Sequence, residues 1–194
     1  MRARFLQEWF ELVEAEEEPW RSRFFAAVDP RMRQEVDAAA RVAWLPMAYH
    51  VKLADIQQEA YGAVRSHAHY RKSFAAALRG PFLGPLVRTG ARVLGISIGS
   101  IVRWAPRGYE AGFKNVGALE GEVLGPQRAR LIYKGLPAVC TASNAWMLAA
   151  QGTAYGALDF LGLEGVVRLD TSERSRGGMT VELEWTGSGV TPQL

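Results

Sequence analysis

Residues 116–134 read VGALEGEVLGPQRARLIYK, and their pattern decides the fold. Gly125-Pro126 divides them into two extended halves, 116–124 and 127–134, and such a break between short runs signals a hairpin. In the second half Ala129, Leu131 and Tyr133 alternate with Arg128, Arg130 and Ile132, which makes one side of the strand apolar. Near the end, Met179, Val181, Leu183 and Trp185 alternate with Thr180, Glu182 and Glu184 in a cleaner period of two. Residues 166–170 form the strand before it, joined through the turn Ser175-Arg176-Gly177-Gly178. Between the two hairpins, residues 135–158 carry no formal charge. Pro137, Thr141, Ser143, Asn144, Gln151 and Thr153 make that run too polar to face lipid, so it reads as a buried helix over 139–161. Gly162 suits its C-cap. Gly152 and Gly156 lie one turn apart, and each costs about 1 kcal/mol in a helix interior, so the spacing predicts a close backbone approach.

Working outward, the first 115 residues read as helices. Phe5, Leu6, Trp9, Phe10, Leu12 and Val13 form an apolar stripe that ends in an acidic cluster and Pro19. Asp29-Pro30 opens a helix to about Val42, and Pro46 opens another through Tyr61. Ser66 caps a helix that stops at Gly80-Pro81, and residues 82–94 and 97–112 supply two more. The order is helices, β-β-α-β-β. It predicts an α+β fold with a four-stranded antiparallel sheet and helices packed on one face. The expected organisation is an N-terminal helical region over 1–78, an α+β domain over 79–186 and a C-terminal tail over 187–194.

The chain has 194 residues, 48% hydrophobic and 22% charged, enough for a sizeable core and against global disorder. A single cysteine, Cys140, excludes an internal disulfide framework and favours a reducing, cytoplasmic setting. No stretch reads as a secretory signal or a transmembrane segment. The net charge of +3 hides a basic middle third, residues 61–134. Nucleic acid is not the expected partner, because Trp104 beside Arg103 and Arg107 is the only aromatic–arginine cluster there.

Of the catalytic signatures, the sequence carries no P-loop and no H-E-x-x-H. His67 and His69 are two apart on a helix and point to different sides, so they cannot grip one metal and read as surface histidines. His50 reads as a core-edge or capping residue, and Cys140 as a small buried hydrophobe. Glu120 and Glu122 share a strand face and read as partners of Arg128 and Arg130. With one Cys and three badly spaced His, the expected metal and cofactor content is none.

Other residues carry a resemblance. Arg103-Trp104-Ala105-Pro106, Gly112-Phe113, Lys134-Gly135-Leu136-Pro137 and Trp146 are followed by the run from Gly152 to Gly162, by Gly177-Gly178 and by the closing strand. Over about residues 79–185 these resemble the 4-vinyl-reductase-type domain. That domain is related to haem-NO-binding domains and to the Bet3-like subunits of the TRAPP tethering complex, and the chain looks closest to a bacterial branch of this superfamily. The resemblance implies a ligand-sensing or scaffolding domain, often dimeric, whose helices and sheet can enclose an apolar cavity for a small molecule or an acyl chain. Zinc-binding relatives use cysteines near the last hairpin, which this sequence lacks. Haem-binding relatives need an axial His and a Tyr-x-Ser-x-Arg signature, which no Tyr here begins.

The expected function is therefore non-enzymatic binding of a small apolar molecule by a sensory domain acting as a homodimer. The alternatives are a protein-interaction adaptor with a filled core and, third, a reductase-associated accessory protein. The expected ligand-binding residues are Trp104, Phe113, Trp146, Met147 and Tyr155, around a cavity bounded by the long helix, the sheet and the helices of residues 82–112. The dimer rests on the stripe of the first helix, which would be an aggregation hazard if exposed on a monomer.

Overall fold

The computed structural model describes residues 1–80, 84–85 and 97–187. The helix expected over 82–94 lies almost wholly outside them. The described elements are α1 (Ala3–Glu14), α2 (Trp20–Ala27), α3 (Pro30–Ala38), α4 (Met47–Arg79), α5 (Ile98–Gly112), β1 (Ala118–Gly125), β2 (Arg128–Lys134), α6 (Ala138–Ala142), α7 (Asn144–Phe160), β3 (Glu164–Asp170) and β4 (Met179–Thr186). The sheet is antiparallel throughout, in the order β1-β2-β4-β3. The fold is the expected α+β arrangement.

Local chemistry sets the helix ends. Asp29 accepts from the Arg31 backbone N–H at 2.8 Å and caps α3, with Pro30 in its first turn. Ser97 and Ser100 form a reciprocal capping box that starts α5. Ser143 accepts from the Trp146 N–H at 3.0 Å, so the helix expected over 139–161 is two helices, α6 and α7. Within α4 the break falls at Gly62, whose φ of 75° only glycine adopts readily. Ser66 caps nothing, since its hydroxyl donates to the Gln57 carbonyl at 3.1 Å.

Side-chain alternation divides the sheet by face. Outward, Lys134 pairs with Glu120 at 2.6 Å, Arg130 with Glu122 at 2.7 Å and Arg168 with Glu184 at 2.9 Å. Glu120 therefore takes Lys134 rather than Arg128, which reaches Glu182 and Glu184 instead. Inward, Leu119, Ala129, Tyr133, Val167, Val181 and Leu183 are buried under α5 and α7.

The two glycines of α7 make the close approach, and their partner is α4. A methyl at Gly156 would stand 2.5 Å from the Arg71 carbonyl oxygen, and one at Gly152 would stand 2.8 Å from the Tyr70 Cβ. Arg71 locks the same crossing through a two-pronged pair to Asp159, at 2.6 and 2.9 Å. One continuous buried cluster runs from Met1 to Trp185, so the helices of residues 1–78 share their core with the α+β part.

Apart from Leu12, which is 36% exposed, the apolar stripe of α1 is interior. Leu6 and Val13 are 0% exposed and Trp9 is 8% exposed, packed inside the same chain. The sequence argument for a dimer took this stripe for free surface; the molecule covers it with α2, α3 and α4.

Candidate functional site

A cavity of about 360 Å³ lies between α1, α4, α5, α7 and the inner face of the sheet. That volume falls within the range of small-molecule sites, roughly 300–1,000 Å³. Its wall is made chiefly of rings and aliphatic side chains, and no single stretch of sequence builds it. α1 brings Phe5 and Trp9; α4 brings His50, His69 and Tyr70; α5 brings Ile101, Trp104 and Tyr109. Tyr133 comes from β2, and Trp146, Ala150 and Ala154 come from α7.

Five of these rings close a circuit. His50 meets Phe113 at 5.9 Å, Phe113 stacks on Tyr109 at 4.7 Å, and Tyr109 meets Tyr133 at 5.7 Å. Tyr133 meets Trp146 at 6.5 Å, and the Trp146 indole N–H donates to His50 Nδ1 at 3.0 Å. Trp9 stands edge-on to both His50 at 5.1 Å and Tyr70 at 5.7 Å. Such edge-to-face pairs are worth about 0.5–1.5 kcal/mol each beyond their buried area.

Most polar groups on the wall are engaged by the protein itself. Ser73 and Thr153 donate to carbonyls one turn back in their own helices, at 2.7 and 2.8 Å. Tyr109 donates to the Val116 carbonyl at 2.8 Å, and Trp9 to Gln57 at 2.5 Å. The Tyr70 hydroxyl is buried with no partner.

Of the expected ligand-binding residues, Trp104, Phe113 and Trp146 lie on the wall. Met147 and Tyr155 do not. Met147 is one residue, about 100°, round α7 from Trp146 and is buried against other core. Tyr155 packs on the α4 side, its ring 5.2 Å from His67 and 4.8 Å from the Arg71 guanidinium. The sequence reading missed Trp9, His50, Tyr70 and Tyr133. Trp9 and Tyr133 stood in visible apolar periodicities but carried no sign of which cavity they would face. His69 is not a surface residue either, being 8% exposed with Nδ1 3.3 Å from Glu16. Cys140 is buried away from the cavity, and burial pushes its thiol up to about 12.

Electrostatics fix the state of His50. Burial lowers its imidazole from 6.5 to about 3, so it is neutral at pH 7. Because Nδ1 accepts from Trp146, the remaining proton sits on Nε2. The unfolded chain binds this proton near pH 6.5 and the folded chain only near 3. Stability is therefore complete above pH 6.5 and declines as the pH falls toward 3, by at most about 1.4 kcal/mol per pH unit. Between pH 6.5 and 4.5, urea unfolding of the wild type should lose about 2–3 kcal/mol more than unfolding of His50→Gln, which keeps an acceptor for Trp146. Parallel pH profiles for the two proteins would contradict this.

The same donor set decides whether iron-ligated haem fits. The α5 face on the cavity, from Ile98 to Tyr109, offers no imidazole. His50 Nε2 holds its proton and cannot donate a lone pair. His69 is tied to Glu16, and the rings of Tyr61 and Tyr70 stand against it at 6.4 and 6.1 Å. At Tyr133-Lys134-Gly135-Leu136-Pro137 the one cation, Lys134, pairs outward with Glu120, leaving no inward charge for a carboxylate. Arg107 is the single cation on the described wall, and it is exposed, 4.4 Å over the Trp104 ring. These residues do not fit a haem held through its iron.

Among the described residues, no helix is long and apolar enough to cross a membrane. No protein-family model and no curated protein match the chain. Solved structures do match over almost all of it. The Fe(II) unliganded H-NOX protein of K. algicida superposes with a TM-score of 0.64 at 10% identity, covering 97% of this chain and 98% of its own. The Fe(II)CO-ligated H-NOX domain of Shewanella oneidensis gives 0.64 at 12% identity, covering 97% and 100%. The oxygen complex of an oxygen-binding H-NOX domain related to soluble guanylate cyclases gives 0.62 at 9%, covering 96% of both chains. These agree with the haem-NO-binding part of the resemblance read from the sequence, and at these identities the likeness is one of fold: this chain is built on the H-NOX fold.

Proposed function

We propose that the protein is a non-enzymatic, ligand-binding sensory domain of the cytoplasm whose cavity takes a small apolar organic molecule in place of an iron-ligated haem. The observation that carries this reading is the cavity itself: about 360 Å³, walled by rings, with the Ser73, Thr153 and Tyr109 hydroxyls turned to protein carbonyls. The H-NOX neighbours support a sensory role by fold alone, and the donor set argues against their iron. The adaptor alternative wants a filled core and a broad apolar surface. Among the described residues the exposed large hydrophobics are Leu12, Val42, Trp44, Val64, Leu124, Val139 and Val166, and only Val42 and Trp44 are close in sequence, on the connection between α3 and α4.

Native mass spectrometry of the purified chain, with a haemin titration alongside, tests this. The expected result is an organic adduct that solvent extraction removes, and no stoichiometric Soret band on adding haemin. A one-to-one Soret band that disappears in His69→Ala would overturn it, since His69 lies on the wall with Nδ1 turned to Glu16 and Nε2 as its remaining nitrogen.

A further inference from the structure

Most of the cavity's polar groups are engaged by the protein, and of those that are not, two belong to residues that contact Trp146. The first is the Nε2–H of His50, whose Nδ1 holds the Trp146 indole at 3.0 Å. The second is the Tyr133 hydroxyl, whose ring packs edge-on to the same indole at 6.5 Å. Both residues line the cavity, and neither group has a partner among the described residues. Each is a donor, and the carboxylate on the described wall, Glu8, is already paired with Arg4 at 2.8 Å.

Resting on the cavity as a ligand site, we propose that its ligand is an apolar molecule bearing one neutral carbonyl-type oxygen, received at Trp146 by hydrogen bonds from His50 and Tyr133. A neutral oxygen is favoured over a carboxylate for a reason of charge. Both donors are uncharged at pH 7, because burial holds the imidazole neutral and raises the phenol to about 12. The wall's described cation, Arg107, is exposed rather than buried. Among the described residues a carboxylate beside Trp146 would find no buried counter-ion, whereas a ketone, aldehyde or ester oxygen needs only the two donors. The surrounding rings supply flat apolar contact for the rest of the molecule.

Two probes of matched shape separate this from simple apolar binding: 2-acetonaphthone and 2-ethylnaphthalene, which differ in a carbonyl oxygen. Binding is read by calorimetry on the full chain. Tyr133→Phe removes a hydroxyl that leaves no partner orphaned, so the variant should fold with unchanged stability. It should bind the ketone roughly threefold to tenfold more weakly than the wild type and the hydrocarbon equally well. If Tyr133→Phe leaves the affinity for the ketone unchanged while both probes bind the wild type, the carbonyl assignment is overturned and the apolar cavity reading stands. If neither probe binds the wild type, both fall together.

Discussion

Gly121→Ala is expected to destroy the folded state or lower its melting temperature by about 6 °C or more. A methyl at this position of β1 would overlap the Val102 carbonyl oxygen of α5 and lie 2.9 Å from the Val102 carbonyl carbon. Ordinary overpacking costs about 1–3 kcal/mol because side chains yield, but here the obstacle is backbone on both sides, so a cost above about 3 kcal/mol is expected. Total stability for a chain of this kind is about 5–15 kcal/mol. Gly108→Ala supplies the contrast. Nothing lies within 4 Å of its added methyl, and it sits inside α5, so it should stabilise by up to about 1 kcal/mol. Thermal melts of both variants check the pair. A folded Gly121→Ala with wild-type melting would mean that α5 does not lie on β1 as described, and with it the α5 wall of the cavity.

The second large effect is on binding. Ala150 sits on the cavity wall of α7, half-buried and facing the enclosed space. Ala150→Phe should fill much of that space, abolish detectable binding of 2-ethylnaphthalene and cost only about 1–3 kcal/mol of stability. The reason is that an empty volume accepts a ring that a close-packed core would reject. If the variant unfolds, and no apolar compound raises the wild-type melting temperature, the space is solid core.

The sheet was legible in the sequence because strand chemistry is local. Alternation at 128–134 and 179–185 fixed both the strands and their buried face, and the turns at Gly125-Pro126 and Gly177-Gly178 fixed the hairpins. The glycine pair of α7 was also legible as a close approach, though not that α4 was its partner. Helix limits were less so. Gly62 breaks α4 through a single positive φ, and Ser143 interrupts the uncharged run through a single side-chain cap, and neither leaves a periodic trace. The cavity was half legible. Trp104, Phe113 and Trp146 come from segments whose apolar character is evident, but the opposite wall comes from α1 and α4, far away in sequence. Burial of the α1 stripe is a tertiary fact, since an amphipathic helix shows that one face is covered and not by what. His50 was invisible as a site residue because its tautomer follows from Trp146, which lies 96 positions later.

The most direct measurement of the central claim is the melting temperature of the wild-type chain in 2-ethylnaphthalene at about ten times its dissociation constant. Occupancy of one site at that concentration adds about 1.4 kcal/mol, which for a chain of this size raises the melting temperature by about 3–5 °C. That rise is expected in the wild type and absent in Ala150→Phe. An equal rise in both proteins would place the hydrocarbon outside this cavity and contradict the claim.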